Sequence, residues 1–526
     1  MPGSSERLDT GLFERVRIPM RDGTRLSGIL YRAADGPRPV LLVRTPYGEP
    51  LSRTLPILPA LDAGFAVLVQ DCRGTGDSEG GVLRTFENER TDGLDTIGWV
   101  VRQPWCDGKV AMFGASYLGM VQLAVSGDRP EGLAAIATAV TPDDYRDGLV
   151  YRQGAFQLGP GIAWHLMKAA QTLGEAAARG EDVSARMGAL MALTRDVDAA
   201  HRRLPLTDRP GVADVLPSWR TWLEKEEDPD YWHGISYAER RTNTAVPGLH
   251  VGGWFDLFLR GTLDNYTTLA KTSAAPQHLI VGPWSHTDQT GVVGEVFYNG
   301  GAAQAIRLEE QQFRFLRESV DGTPTSLPPV QIYVMGADRW RTENEWPPAR
   351  TDWQTWYLAA DGALGRDMPA DGVAEYVHDP HDPVPTVGGA ILMAGSPDGG
   401  LAYQPGSRDQ RVLDGPVGGP QLAAAWNLLA PGGLVQNIGW ASDEPARFAP
   451  HELLFIGPSK TMSTVGDTRD VGPDLATLLR FTAAGRLSPE AGWRGPWENF
   501  AEAARALLDR RIAGKAVLDV TAEPAG

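Results

Sequence analysis

The segment from Val110 to Gly119 constrains the fold of this chain more than any other. An apolar, strand-like run ends in Gly114-Ala115-Ser116 and continues directly into helix-like sequence. Small residues around a serine are typical of a sharp turn between a strand and a helix, because the turn has no room for larger side chains. Such a turn exposes the hydroxyl of Ser116 beside backbone N–H groups, which makes Ser116 a candidate nucleophile.

The motif departs from Gly-x-Ser-x-Gly, because Leu118 stands at the place of the second glycine and Gly119 follows it. Serines in such triplets also serve as ordinary turn or N-cap residues. Whether Ser116 is catalytic or structural therefore depends on whether the chain supplies catalytic partner residues elsewhere.

Strands and helices alternate around this turn, which predicts an α/β fold with a largely parallel sheet covered by helices. Two strands around the turn at Arg21 to Thr24 begin the sheet in antiparallel fashion. Helix-rich sequence from about Thr141 to Thr244 interrupts the alternation and is interpreted as an inserted cap. The further strands are expected at 39–45, 65–69, 110–114, 133–139, 249–252 and 278–281.

Composition excludes several kinds of partner. The net charge of −17, from 66 acidic and 49 basic residues, argues against nucleic acid or an anionic membrane. Cys72 and Cys106 cannot build a disulfide framework or a metal cage. The N-terminus lacks an apolar leader, and no run of about 18 apolar residues is present. We expect a cytoplasmic protein; the oligomeric state stays open, a homodimer included.

Two strand exits supply partners for Ser116. Asp256 follows the strand near Leu249, and His286 follows the strand near Leu279. Loops at the carboxyl ends of parallel strands converge, so these side chains are expected to meet there. The chain order Ser, Asp, His is that of an α/β-hydrolase triad. Asp264 is the main rival carboxylate, although it is expected to lie within the following helix.

An acyl-transfer site also needs hydrogen-bond donors for the developing oxyanion. The N–H of Tyr117 is one candidate, and the phenol of Tyr47 is another, with structural packing as the alternative for Tyr47. Aromatic residues beside the predicted triad and in the cap are candidates for the substrate pocket, with core packing as the alternative. They are Trp254, Phe255 and Trp284 beside the triad, and Trp164, Trp219, Trp222, Tyr231 and Trp232 in the cap.

Five motifs occur in order along the chain. They are Thr45-Pro46-Tyr47, Asp71-Cys72-Arg73-Gly74-Thr75-Gly76-Asp77-Ser78, Gly114-Ala115-Ser116-Tyr117-Leu118-Gly119, Gly253-Trp254-Phe255-Asp256 and Gly282-Pro283-Trp284-Ser285-His286. Together they resemble the cocaine esterase and X-Pro dipeptidyl-peptidase family, and the resemblance covers residues 1–411. The resemblance implies Ser116 as nucleophile, His286 as base, Asp256 as the residue orienting it, an oxyanion hole of Tyr47 and the Tyr117 N–H, and no metal or organic cofactor.

The resemblance also implies a domain organisation. We expect an α/β-hydrolase domain at 1–143 and 244–325, a helical cap at 144–243, and a partial jelly-roll β domain at 326–411. Strand-like segments at 330–334, 353–358 and 390–392 are expected in this β domain. From about Val412 the chain instead resembles the end of a medium-chain quinone reductase or dehydrogenase, and helices are expected near 422–429, 475–479 and 503–508. No Gly-rich phosphate loop precedes that segment, so no nicotinamide binding is expected. A truncated jelly roll would expose strand edges unless the appended segment covers them.

The sequence therefore predicts a serine hydrolase that cleaves a carboxylic ester or amide through an acyl-enzyme. An X-Pro dipeptidyl peptidase is the alternative within the class, less favoured because no acidic clamp for a substrate amino terminus is evident. An NADPH-dependent oxidoreductase activity of the C-terminal segment and a catalytically dead fusion are alternatives of other kinds. The segment from His378 to Asp382 has metal-ligand residue types, but no recognisable ligand set, and no metal is expected there.

Overall fold

The computed structural model describes residues 13–48, 55–195, 197–360, 362–373, 379–381, 386, 388–392 and 405–408, and the strands at 434–437, 461–464, 491–496 and 515–519. Within the described residues up to 408, ten strands form one sheet. They are β1 (Phe13–Pro19), β2 (Arg25–Tyr31), β3 (Arg38–Thr45), β4 (Ala66–Asp71), β5 (Cys106–Ala115), β6 (Leu133–Ala139), β9 (Gly248–Phe255), β10 (Gln277–Ser285), β13 (Val330–Val334) and β14 (Arg339–Glu343). Their order across the sheet is β1-β2-β4-β3-β5-β6-β9-β10-β13-β14.

The pairing is parallel from β4 to β13 and antiparallel at both edges, where β1 and β2 and the β13–β14 hairpin lie. The mostly parallel sheet with helices between its strands confirms the predicted α/β class. Its central strands are almost fully buried, as expected when helices cover a parallel sheet. In β10, for example, every residue from Gln277 to Ser285 is buried.

Helices follow the strands in the order that the alternation predicts. They are α1 (Ile57–Asp62), α2 (Glu89–Val100), α3 (Tyr117–Ser126), α4 (Leu158–Ala178), α5 (Ser184–Arg195), α6 (Val197–Arg202), α7 (Ser218–Glu224), α8 (Pro229–Ile235), α9 (Leu259–Thr272) and α10 (Leu308–Asp321). Every residue of α3 is buried against the sheet, and Phe313 of α10 stacks on Phe113 of β5.

A helical insertion separates β6 from β9. It begins with a π-helical turn at Tyr145–Val150 and the short pair β7 (Tyr151–Arg152) and β8 (Ala155–Phe156), continues through α4 to α8, and ends in a 3-10 turn at Arg240–Asn243. A second apolar cluster of buried residues, including Leu173, Leu190 and Trp219, packs inside this insertion. The insertion is the helix-rich segment that we interpreted as a cap, and we call it the cap below.

The region predicted to begin a jelly roll starts differently. Its first strand, β13, pairs in parallel with β10, and β14 pairs with β13, so both extend the central sheet. The strand expected at Trp353 to Leu358 is reduced to β15 (Tyr357–Leu358), paired with β16 (Leu364–Gly365). The expected strand at 390–392 is not a strand, and only Gly389 makes a β-bridge, to Gly406. The jelly roll stays a prediction, because residues 374–378, 382–385, 387, 393–404 and 409–411 lie outside the described part of the chain.

Further short pairs complete the described strands. β11 (Val292–Val293) pairs with β12 (Val296–Phe297) in the loop after β10, and a 3-10 turn follows at Ala303–Ile306. In the C-terminal unit, β17 (Leu434–Asn437) pairs in parallel with β18 (Thr461–Thr464), and β19 (Ala491–Pro496) pairs in parallel with β20 (Lys515–Asp519). The helices predicted near 422–429, 475–479 and 503–508 lie outside the described residues. No described helix combines the length and apolar character needed to cross a bilayer.

Candidate active site

Ser116 occupies a strained turn between β5 and α3. Its backbone has φ 56° and ψ −122°, and its N–H donates to the carbonyl of Ala139 at 2.8 Å. A positive φ in a non-glycine residue costs about 1–3 kcal/mol and persists only where the surrounding structure enforces it. Such strain is typical of functional sites and distinguishes Ser116 from an ordinary N-cap serine.

Two glycines make this turn sterically feasible. Gly114 has φ 144°, and a Cβ added there would lie 2.4 Å from Cβ of Leu118. A Cβ on Gly119 would lie 2.3 Å from Oγ1 of Thr141. Helix α3 therefore approaches its neighbours most closely at Gly119, one residue after the second glycine of a Gly-x-Ser-x-Gly motif. This explains why a leucine is tolerated at position 118.

His286 and Asp256 meet Ser116 at the carboxyl edge of the sheet. Nε2 of His286 is 3.0 Å from Oγ of Ser116, and Nδ1 is 2.7 Å from Oδ1 of Asp256. A carboxylate only accepts hydrogen bonds, so Nδ1 carries the hydrogen and Nε2 is left to accept one from the serine. The three residues predicted from strand-exit positions therefore lie within hydrogen-bonding reach of each other.

The rival carboxylate lies elsewhere. Asp264 is within α9, is 43% exposed, and faces Arg260 with 3.5 Å between Nε and Oδ2. Asp256, in contrast, is 2% exposed, and its second oxygen has no hydrogen-bond partner among the described residues. Asp256 is thus the carboxylate placed to orient His286.

Both predicted oxyanion donors border the same cavity as Ser116. Tyr117 is the first residue of α3, and the N–H groups of a helix's first turn have no acceptor within the helix. The hydroxyl of Tyr47 accepts a hydrogen bond from Nε1 of Trp164 at 3.1 Å. Burial raises the pKa of Tyr47 to about 12, so this phenol keeps its hydrogen near neutral pH.

The cavity above Ser116 has a volume of about 920 Å³ and is enclosed largely by apolar side chains. Among the described residues that line it, none is an aspartate, glutamate, lysine or arginine. Burial lowers the pKa of His165, one of the lining residues, to about 4, so this imidazole is neutral. Cap residues, including Trp222, form much of the wall, together with Phe86 and Phe258.

Of the eight aromatic residues considered for the pocket, Trp164 and Trp222 of the cap line this cavity. Trp254 donates its indole N–H to the carbonyl of Tyr333 and packs near Trp346. Phe255 packs against Tyr298, and Trp284 is fully buried with its N–H on the carbonyl of Gly301. These three predictions are corrected by the structure, because closeness along the chain to Asp256 or His286 did not place the rings beside Ser116.

The sequence analysis missed other wall residues. Phe86 stacks on Tyr117 at 4.8 Å between ring centroids and is also aligned with Trp222 at 6.1 Å. The ring of Phe258 packs edge-on against the imidazole of His286, with 5.3 Å between ring centroids. Phe258 could have been considered, because it follows Asp256 by two positions. No sequence signal marks Phe86, whereas Trp222 is one of the cap aromatics that the sequence analysis weighed as pocket residues.

A buried ionic network lies beneath the predicted oxyanion hole. Oε1 of Glu89 accepts a hydrogen bond from the hydroxyl of Tyr117 at 2.8 Å. Oε2 of Glu89 forms an ion pair with Nη2 of Arg44 at 3.0 Å, although the two groups are not aligned as a hydrogen bond. Arg44 also donates to the backbone carbonyl of Glu89 and to the side chain of Gln70. Both charged groups are almost fully buried. The network connects β3, which leads to Tyr47, with α2 and Tyr117.

We expect Glu89→Gln to destabilise the protein by about 3–5 kcal/mol, because it leaves the charge of Arg44 buried without a counterion. This corresponds to an apparent Tm lower by on the order of 10 °C, measured by differential scanning fluorimetry. Glu87→Gln is the matched control, since Glu87 pairs with the exposed Arg84 and surface pairs contribute about 0–1 kcal/mol. Equal melting temperatures for the two variants would contradict the prediction.

The metal-ligand residue types of the sequence analysis are only partly described. Asp379 accepts the backbone N–H of His381 at 2.8 Å, while His378 and Asp382 lie outside the described residues. Among the residues that the structure describes, no group of three or more His, Cys, Asp or Glu side chains could hold a metal ion.

Family models match most of the chain in sequence order. Residues 22–288 match the X-Pro dipeptidyl-peptidase (S15 family) model, a span that contains Ser116, Asp256 and His286. Residues 322–406 match the X-Pro dipeptidyl-peptidase C-terminal non-catalytic domain. Residues 407–518 match a zinc-binding dehydrogenase model, more weakly. The change between the last two matches agrees with the change of resemblance expected near Val412.

Individual relatives cover about three quarters of this chain. Cocaine esterase of Rhodococcus sp. (strain MB1 Bresler) is 33% identical over 74% of this chain and 71% of its own length. The structure of an aminopeptidase from a marine sediment archaeon, Thaumarchaeota archaeon, is 25% identical with a TM-score of 0.54, covering 73% of this chain and 68% of that one. An α-amino acid ester hydrolase shares the fold at 23% identity and a TM-score of 0.53, covering 74% of this chain and 68% of that one.

Proposed function

Because this chain belongs to the X-Pro dipeptidyl-peptidase (S15) family and is a serine hydrolase, we propose that it cleaves neutral carboxylic esters through an acyl-enzyme on Ser116. The observation that carries the proposal is the pair of short contacts that join Ser116, His286 and Asp256 in an apolar cavity. Members of the family act on esters or peptides. The apolar lining of this cavity favours an ester as the substrate.

In the first step, Oγ of Ser116 attacks the carbonyl carbon while Nε2 of His286 takes the hydroxyl proton. Asp256 holds Nδ1–H, keeps the imidazole in the required tautomer and stabilises the imidazolium that forms. The proton then passes from Nε2 to the leaving alkoxide. The ester C–O bond breaks, the alcohol departs, and the acyl group remains on Ser116.

The carbonyl oxygen becomes an oxyanion in this step. The backbone N–H of Tyr117 and the phenolic O–H of Tyr47 are the proposed donors to it. In deacylation, a water molecule gives its proton to Nε2 of His286 and attacks the acyl carbon. The tetrahedral intermediate collapses, His286 returns the proton to Ser116, and the carboxylic acid leaves.

The cavity supports a neutral substrate with a bulky apolar group. A volume of about 920 Å³ lies in the range of sites for drug-sized ligands, and its wall includes Phe86, Trp164 and Trp222. Binding an ammonium group in such a site without a carboxylate would require desolvation with no compensating ion pair. An X-Pro dipeptide substrate carries such a group at its amino terminus, so the lining favours the ester over the dipeptide.

The test compares p-nitrophenyl butyrate with Ala-Pro p-nitroanilide under pre-steady-state conditions. We expect the ester to release a burst of p-nitrophenol approaching one equivalent per enzyme, because acylation of Ser116 by this activated ester is expected to be faster than hydrolysis of the acyl-enzyme. We expect kcat/KM for the anilide to be at least about 10³-fold lower, since the described lining residues offer no counterion for its ammonium group. Acetyl-Ala-Pro p-nitroanilide, which lacks the charge, is the matched control.

The X-Pro dipeptidyl peptidase is the second candidate, and the S15 family match favours it. A higher kcat/KM for Ala-Pro p-nitroanilide than for its acetylated form would select the peptidase and overturn the ester proposal. The dehydrogenase match at 407–518 falls mostly outside the described residues, so it supplies no site from which an oxidoreductase reaction could be argued.

A further inference from the structure

We propose that Trp164 of the cap is a positioning residue for this reaction. Its indole N–H donates a hydrogen bond to the hydroxyl oxygen of Tyr47, so the hydroxyl hydrogen of Tyr47 is left to donate to the oxyanion. The inference rests on the proposed function and adds a role for the cap beyond enclosing the substrate. It concerns how the phenol is oriented, and Trp164 itself need not touch the reacting atoms.

The donor and acceptor properties of the two side chains determine the direction of their hydrogen bond. An indole N–H only donates, whereas a phenol donates one hydrogen and also accepts. In the 3.1 Å contact between Nε1 of Trp164 and Oη of Tyr47, the phenol must therefore be the acceptor. Among the described residues, no group accepts the hydroxyl hydrogen of Tyr47. That hydrogen is consequently available to a ligand atom in the cavity that Tyr47 and Ser116 share.

The same cap helix holds Tyr47 at a second point. Gln171, two turns after Trp164 on α4, donates its side-chain amide to the backbone carbonyl of Tyr47. Gln171 also donates to the carboxylate of Glu175 at 2.7 Å, which fixes the orientation of the amide. Helix α4 therefore contacts both the backbone and the hydroxyl of the proposed oxyanion donor.

Packing restricts the indole in turn. The ring of Trp164 stacks on that of Tyr117 with 6.3 Å between centroids and 6° between planes, and it meets His165 edge-on. Tyr117 supplies the other proposed oxyanion donor through its backbone. One cap residue is thus in contact with both donor residues, and a displaced cap would disturb the hydrogen-bond geometry of the oxyanion hole together with the cavity wall.

A double-mutant cycle on kcat for p-nitrophenyl butyrate tests the proposal. We expect Tyr47→Phe to lower kcat about 10²-fold, as for loss of one oxyanion donor. Trp164→Phe keeps an aromatic ring and removes the N–H, and we expect it to lower kcat about 5- to 10-fold in the wild-type background. In the Tyr47→Phe background the same change is expected to alter kcat less than twofold, because no hydroxyl remains to be oriented.

Trp222→Phe is the matched control. Trp222 lines the same cavity and lies near Trp164, with ring centroids 6.5 Å apart, but no hydrogen bond joins its buried N–H to Tyr47. It is expected to change kcat by the same factor in the wild-type background and in the Tyr47→Phe background. End-point titration with a fluorophosphonate counts the competent enzyme in each variant, so loss of folded protein cannot imitate a loss of kcat.

Equal factors for Trp164→Phe in both backgrounds would overturn the inference and leave Trp164 as cavity wall only, while the proposed function would stand. An unchanged kcat for Tyr47→Phe would remove Tyr47 from the oxyanion hole, and the inference would fail with it. Failure of the proposed function would give a different result, because the wild-type enzyme would then show neither an ester burst nor fluorophosphonate labelling.

Discussion

Replacing Ser116 with alanine is expected to lower kcat for a neutral ester by on the order of 10⁶-fold, the loss that follows removal of a triad nucleophile. Alanine keeps the Cβ that the turn at φ 56° already accommodates, so the fold should be retained. The residual rate would come from substrate binding and the oxyanion donors alone. The measurement is kcat by stopped-flow and steady-state assay, with fluorophosphonate labelling read by mass spectrometry.

Ser126→Ala is the matched control for this variant. Ser126 lies on the same helix, is buried, and shares a 2.9 Å hydrogen bond with Thr244 outside the cavity lining. We expect its kcat and its labelling to equal those of the wild type. Labelling of the Ser116→Ala protein at the wild-type level would place the nucleophile elsewhere and refute the assignment.

Asp256→Asn is expected to lower kcat about 10⁴-fold, the loss seen when the carboxylate of a triad becomes an amide. An asparagine can present an N–H to Nδ1 of His286, which favours the tautomer that cannot accept the proton of Ser116. Because Asp256 is 2% exposed, water cannot readily substitute for the lost charge. Steady-state kcat for p-nitrophenyl butyrate is the measurement.

Asp264→Asn separates the two candidate carboxylates. Asp264 is half-exposed and faces Arg260, so its replacement should change kcat less than twofold. A greater loss of kcat for Asp264→Asn than for Asp256→Asn would show that Asp264, and not Asp256, orients His286.

The positions of Ser116, Asp256 and His286 could be predicted because they depend on local signals. Each follows an apolar run long enough to be a buried strand, and parallel strands deliver such exits to one edge of the sheet. The glycine at 114 was informative for a steric reason, since a Cβ there would collide with Leu118. The catalytic roles remain predictions until the variants are measured.

The pocket wall could not be predicted in the same way. Trp254 and Trp284 stand beside the predicted triad along the chain, but their indole N–H groups bind backbone carbonyls away from the cavity. Trp222, far from Ser116 in sequence, reaches the cavity because the cap folds over the sheet. Proximity along a strand therefore did not predict proximity to the substrate site.

The edge of the sheet gives a second example. Strand character at Val330–Val334 was predicted correctly, but its pairing with β10 was not, and the segment was assigned to a separate β domain. Alternation and β-branched residues identify a strand by its fit to a pleated surface. They do not specify which neighbour supplies the hydrogen bonds, because many free strand edges can do so.

The sequence by itself determined the α/β class, the turn at Ser116 and the order of the residues that meet there, since these follow from periodicity, steric limits and the direction of parallel strands. Only the tertiary structure decided which aromatic rings enclose the cavity, which strand continues the sheet at β10, and that Trp164 donates to Tyr47. Those features depend on contacts between segments distant along the chain, and such contacts are set by packing of the whole domain rather than by any local pattern.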